Sequence, residues 1–183
     1  MSGARSTEES PRPDASNALV VIPTYNEREL LPEIAGAVLG LPGGWNLLIA
    51  DDNSPDGTGE LADGIAAREP RVRVLHRAQK EGLGPAYLAA FEDALKRPEI
   101  DFVGQLDADF SHNPVDLPRL LEALEGADLA IGSRYVPGGG TEGWGLKRRL
   151  LSRWGNAYVR MVLGAPAPDM TAVVPRPGGN SPR

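Results

Sequence analysis

The 183-residue chain contains no cysteine. A disulfide and a thiolate metal site are thereby excluded, so any metal chemistry must use oxygen or histidine ligands. An unbroken apolar run of about 20 residues is also missing, as is a leading signal-peptide pattern, so the chain is read as neither spanning a membrane nor exported. Any membrane role is then peripheral. Basic residues are in deficit: 19 Lys and Arg against 25 Asp and Glu leave a net charge of −6. That balance argues against nucleic-acid binding driven by phosphate neutralisation, and no local basic patch precedes Lys147. Internal repeats are absent too. What remains is the composition of a soluble globular protein, 41% hydrophobic and 24% charged, in a chain long enough to bury the core of one domain.

Short apolar runs alternate with stretches of helical spacing. Residues 1–17, rich in Ser, Pro, Arg and Glu, have almost nothing to bury and read as a disordered leader. Strands are predicted over residues 18–22, 47–50, 72–76, 102–106 and 129–133, and helices over 27–39, 59–68, 85–96 and 114–124. Asn26 is placed to cap the first helix. This alternation predicts a layered α/β sheet. Beyond a Gly-rich loop at 136–145, residues 146–163 read as an amphipathic helix with Leu150, Trp154, Ala157 and Met161 on one stripe. Arg153 and Arg160 fall on a solvated face, whereas Arg148 lies close to the expected cleft. From residue 165 onward the prolines argue against strand and helix, and an unstructured tail is expected.

The chemistry concentrates at strand ends. Asp107-Ala108-Asp109 follows the fourth apolar run, at the edge where open α/β sheets bind ligands. Two neighbouring carboxylates repel one another unless a cation holds them, and oxygen ligands suit Mg²⁺ or Mn²⁺, which in turn grip phosphates. A solvated turn is the competing reading of the same three residues. The second strand runs into residues 51–57, Asp-Asp-Asn-Ser-Pro-Asp-Gly, which read both as a capped turn and as a place where Asp52 accepts hydrogen bonds from a base or sugar. Gly82 and Gly84 open the third helix, where backbone N–H groups can approach an anion.

Several segments together resemble glycosyltransferase family 2, and within it the dolichol- or polyprenol-phosphate mannosyltransferases. They are Val-Ile-Pro-Thr-Tyr-Asn-Glu at 21–27, Asp-Asp-Asn-Ser-Pro-Asp-Gly-Thr at 51–58, and His-Arg-x-x-Lys-x-Gly-Leu-Gly at 76–84. Asp-Ala-Asp-Phe-Ser-His-Asn-Pro at 107–114, Gly-Ser-Arg-Tyr at 132–135 and Trp-x-x-x-Arg at 144–148 continue the series in the family's order. The resemblance implies a GT-A type, Rossmann-like fold over residues 18–164, a mostly parallel sheet with helices on both faces. It implies inverting transfer of mannose from GDP-mannose to a dolichyl or polyprenyl phosphate at the cytoplasmic face of the membrane, with Mg²⁺ or Mn²⁺ as cofactor. A membrane-protein partner is a further candidate, and nucleic acid is not expected.

Carried over position by position, the resemblance assigns Pro23, Tyr25, Glu27, Ala50 and Asp52 to the nucleoside, and Asp107, Ala108 and Asp109 to the diphosphate and metal. Ser111 joins the metal ligands as a weaker one, acting through water. Asp109, Arg134 and Arg148 form the catalytic set, with Arg134 on the sugar-phosphate side of the donor, while His112 reads as a turn residue before Pro114. A phosphate monoester acceptor is largely dianionic near neutral pH, its second pKa being roughly 6, so no general base is required. The demand is for cations: a metal for the leaving diphosphate, and Arg134 and Arg148 for the acceptor.

The sequence departs from the family pattern after Asp169-x-Thr171, where Ala-Val-Val-Pro replaces the expected Gly-Gly-Phe/Tyr-Arg/Lys. The GT-A domain is therefore expected to be C-terminally truncated, residues 165–183 forming a Pro/Gly-rich tail and transfer being impaired. Two alternatives stay open: a family 2 transferase using a UDP-sugar, and a non-catalytic nucleotide-binding fragment.

Overall fold

The computed structural model describes residues 13–132 and 171–175, and side chains within 13–132. The predicted helix at 146–163, Arg134 and Arg148 lie outside the described residues. Among the described residues six strands and four α-helices follow in chain order: β1 Ala18–Thr24, α1 Leu31–Leu39, β2 Asn46–Asp51, α2 Thr58–Ala66, β3 Val72–His76, α3 Leu83–Leu95, β4 Phe102–Gln105, α4 Leu117–Glu122, β5 Ala130–Gly132 and β6 Thr171–Pro175. They build one six-stranded sheet in the order β3-β2-β1-β4-β6-β5. The pairs β1/β2, β1/β4 and β2/β3 are parallel; β6 runs antiparallel to both β4 and β5.

Period-two alternation along β1 divides the core between the two faces. Ala18, Val20 and Ile22 face one way, where they pack with Leu31, Ile34 and Val38 of α1, Ala62 of α2, and Leu117, Leu120 and Leu121 of α4. Leu19 and Val21 face the other way, with Leu48, Ala50 and the α3 alanines Ala90 and Ala94. Ala86, Ala90 and Ala94 are the buried residues of α3. Their four-residue spacing puts small side chains on one stripe, so the helix backbone can approach the sheet closely. Both faces of the sheet are thus covered, which explains why the central strands read as continuous apolar runs.

Three local expectations are corrected. Asn26 does not cap α1: it sits at φ 61° and its N–H donates to Ser54 Oγ at 3.1 Å. The helix starts later, at Leu31, after the Glu27 carbonyl accepts from the N–H groups of Leu30 (3.2 Å) and Leu31 (2.9 Å). Ordered chain begins before residue 18, because Asp14 caps a 3₁₀ turn at Ala15–Asn17 and the Asn17 amide donates to Asp101 at 3.0 Å. The tail expected from residue 165 is not wholly unstructured either. Thr171–Pro175 inserts between β4 and β5, Val173 standing opposite both Gly104 and Ala130. Its Thr-Ala-Val-Val run is strand-forming in the middle of a sheet, and Pro175 falls at the last position, where a missing N–H interrupts little of the ladder.

Candidate functional site

The strand order changes direction between β1 and β4, since β2 and β3 were laid down on one side of β1 and β4 on the other. Beyond the carboxyl ends of these strands a crevice must open. A cleft of about 290 Å³ lies there, lined by Pro23, Thr24, Tyr25 and Glu27 from the end of β1, Asp52 after β2, Asp107, Ala108 and Asp109 after β4, and Lys80, Gly82, Leu83 and Ala86 at the entry to α3.

Each loop is fixed by its own polar contacts. After β2 the two aspartates divide the labour. Asp51 is buried and accepts from the hydroxyls of Thr24 (3.1 Å) and Ser54 (2.6 Å) and from the Ser54 N–H (3.1 Å), tying the ends of β1 and β2 together. Asp52 is left to line the cleft, with Oδ1 accepting from Arg77. Glu27 is anchored by its N–H, which donates to Thr58 Oγ1 at 3.1 Å; that hydroxyl donates in turn to Asp56 at 2.6 Å. The Thr58 hydroxyl is the main cause holding the Asp56 carboxyl below its ordinary range. Tyr25 carries the Lys80 ammonium over its ring, 3.7 Å from the centroid.

After β4 the acidic pair flanks Ala108, which is buried in the same core cluster as Ile22 and Leu117. Asp109 accepts from the Ser111 N–H (2.8 Å) and hydroxyl (2.7 Å). Burial pushes the Asp109 carboxyl up, but Ser111 and the nearby His112 outweigh it and hold it below the ordinary carboxylate range. Phe110, between them, adopts φ 56°, a left-handed conformation strained for a bulky side chain. Asp107 Oδ1 accepts from the Tyr87 hydroxyl at 3.2 Å, and His112 Nδ1 stands 3.8 Å from Oδ2. Burial first, and then Asp107, push the Tyr87 phenol far above its ordinary range, so it stays a donor.

Pro23, Tyr25, Glu27, Asp52, Asp107, Ala108 and Asp109 therefore meet in one cleft. Ala50 does not line it; its side chain is fully buried against α3. Ser111 lies outside the lining and donates its hydroxyl to Asp109 instead. His112 lies in the bend before Pro114, and both its ring nitrogens are buried without a hydrogen-bond partner among the described residues. Sequence reasoning did not single out Thr24, Lys80, Leu83, Ala86, Tyr87 or Arg77 as site residues. For Lys80 and Arg77 a signal existed in the 76–84 segment; for Tyr87 there was none.

The cleft carries a surplus of negative charge. Burial is the largest cause raising the Glu27 carboxyl above its ordinary range, and Asp109, Asp56 and Asp107 raise it further. Among the described residues no group of three or more His, Asp or Glu is arranged as a ready-made metal cage. Two carboxylates with room beside them nonetheless suit a small divalent cation, which usually takes one or two protein carboxylates and completes its shell with water and substrate phosphates. Among the described residues no helix is long and apolar enough to cross a membrane.

A doubly covered, mostly parallel sheet with an acidic cleft at its switch point defines a layered α/β class of protein. More particularly, the model of glycosyl transferase family 2 matches residues 19–172, and the chain belongs to that family. It is 53% identical over 156 residues to a polyprenol monophosphomannose synthase of Mycolicibacterium smegmatis, covering 84% of this chain and 58% of that protein. To an undecaprenyl-phosphate mannosyltransferase of Micrococcus luteus it is 49% identical over 154 residues, covering 84% and 63%. The chain thus spans about three fifths of the length of these relatives. Among solved structures it resembles glucosyl-3-phosphoglycerate synthase from Mycobacterium tuberculosis, with a TM-score of 0.60 and 23% identity over 87% of this chain and 56% of that one. This likeness and the family match show the expected GT-A type α/β fold.

Proposed function

We propose that the cleft binds GDP-mannose together with Mg²⁺ or Mn²⁺, and that it serves inverting transfer of mannose to a polyprenyl or dolichyl phosphate at the cytoplasmic face of a membrane. The observation that carries this reading is the convergence of two chemically different halves. Tyr25, Glu27 and Asp52 offer an aromatic face and hydrogen-bond acceptors suited to a nucleoside; Asp107 and Asp109 offer charge suited to a cation and, through it, a diphosphate. The names of the mannosyltransferase relatives support mannose as the sugar and a polyprenyl phosphate as the acceptor.

Asp107 and Asp109 would hold the metal, whose chemistry is to neutralise charge developing on the leaving diphosphate. Asp52 and Glu27 orient the nucleoside, so that the sugar is presented at a fixed place. Ser111 acts on Asp109 by hydrogen bonding. Arg134 and Arg148 are assigned to the phosphates of donor and acceptor, where guanidinium groups bind oxyanions in a fork. The acceptor phosphate, already largely dianionic, attacks from the side opposite GDP and inverts the anomeric carbon. Calorimetric competition between GDP-mannose and UDP-glucose in Mn²⁺ tests the reading: displacement of bound GDP by GDP-mannose, and not by UDP-glucose, is expected. Preference for UDP-glucose would overturn the choice of donor.

A further inference from the structure

We infer that Tyr87 is a positioning residue for the acidic pair, its hydroxyl holding Asp107 in the orientation that leaves one carboxylate oxygen free for a cation. The inference rests on the proposed metal–diphosphate role of Asp107. Tyr87 lies on α3, one position beyond Ala86 and one turn beyond Leu83, both of which line the cleft. Its ring is held from two sides: it packs against the core cluster of Leu19, Val21 and Leu48, and it stacks on Phe91 with centroids 6.2 Å apart and planes at 26°. A ring so fixed has little freedom at either side-chain torsion, so the hydroxyl is a rigid donor at the end of a rigid arm.

Its target needs such an arm. The Asp107 side chain is 37% exposed, and a carboxylate torsion is broad and weakly restrained unless something grips it. Tyr87 grips Oδ1 at 3.2 Å. His112 approaches Oδ2 only to 3.8 Å, beyond hydrogen-bonding distance. The two oxygens are therefore differentiated: Oδ1 is committed to α3 and Oδ2 is available. Asp109 has its own restraint in Ser111, which engages both its oxygens. The pair is thus held by partners outside it, the arrangement that orients metal ligands and whose loss typically costs about 10–100-fold in metal affinity.

Tyr87→Phe deletes the hydroxyl and keeps the ring. Three titrations of wild type and variant separate the outcomes: Mn²⁺ in the presence of GDP, GDP in the presence of chelator, and guanosine alone. We expect Mn²⁺ affinity to fall about 10–100-fold while guanosine affinity and thermal midpoint stay unchanged. In an Asp107→Asn background the same substitution should have no further effect on Mn²⁺. Unchanged Mn²⁺ affinity in Tyr87→Phe, with wild type binding Mn²⁺ and GDP, would overturn the positioning role alone. A parallel loss of guanosine affinity would also overturn it, showing a general packing defect. Wild type that binds GDP equally with and without Mn²⁺ would overturn both this inference and the metal reading beneath it.

Discussion

Arg77 bridges Asp52 and Glu81, donating from Nη1 to Asp52 Oδ1 and from Nη2 to Glu81 Oε2 at 2.5 Å. The Arg77 and Asp52 side chains are only 8% and 7% exposed, so a carboxylate that faces the cleft is paired in a confined place with a guanidinium behind it. The contact joins the end of β2 to the residue just after β3. It also separates the oxygens of Asp52: Oδ1 belongs to Arg77, and Oδ2 accepts no hydrogen bond from the described residues.

Removing Arg77 should therefore cost more than one surface ion pair. Arg77→Met leaves the Asp52 carboxylate unpaired in a cleft that already holds Glu27, Asp107 and Asp109, and breaking one side of a buried pair costs about 3 kcal/mol or more. Urea unfolding of the variant should show that loss, and the double variant Arg77→Met/Asp52→Asn should recover much of it. A midpoint equal to wild type in Arg77→Met would mean that the pair is solvated and energetically idle.

The two halves of the cleft should fail independently. Asp52→Ala is expected to weaken guanosine binding by about tenfold, the worth of one hydrogen bond to a charged group, with or without Mn²⁺. Asp109→Ala should abolish the Mn²⁺-dependent part of GDP-mannose binding while leaving guanosine binding and the fold intact. If guanosine binds Asp52→Ala as well as wild type, Asp52 serves only to pair with Arg77. If Mn²⁺ still strengthens GDP-mannose binding to Asp109→Ala, the metal is held elsewhere.

Glu27 sets a pH dependence of the unliganded protein. Burial, and then Asp109, Asp56 and Asp107, raise its carboxyl above the ordinary value of 4.5. A group whose pKa rises on folding contributes stability that is fully present below the unfolded value and is lost as pH climbs through the folded one. Glu27→Gln, neutral at every pH, should therefore be the more stable protein near neutrality, with the advantage disappearing below about pH 4. Thermal melts of both proteins across that range decide it; a constant difference would show that Glu27 is not under electrostatic strain.

Much of the sheet was legible in the sequence because its central strands are buried on both faces. Runs such as Leu47 to Ala50 have no polar member to confuse the reading, and the strand ends place Asp52, Asp107 and Asp109 at one edge. What could not be read depends on pairings across long stretches of chain. Thr171–Pro175 looks like a tail by its prolines, and only the neighbours Gly104 and Ala130 make Val173 a central strand residue. Asn26 has the composition of a helix cap, yet the Ser54 hydroxyl, supplied by another loop, draws its N–H and leaves it left-handed. Tyr87 and Arg77 reach partners 20 and 25 residues away in sequence, Asp107 and Asp52; the 76–84 segment marks Arg77 but not its partner, and no local pattern marks Tyr87.

On the proposed reading, one cleft grips a nucleotide sugar by its nucleoside and, through a divalent cation, by its diphosphate. Equilibrium titration of the wild-type chain with GDP-mannose, in Mn²⁺ and again in chelator, tests it most directly. Saturable binding is expected, weakening by at least about tenfold when the metal is removed. No binding in either condition, or equal binding in both, would contradict it.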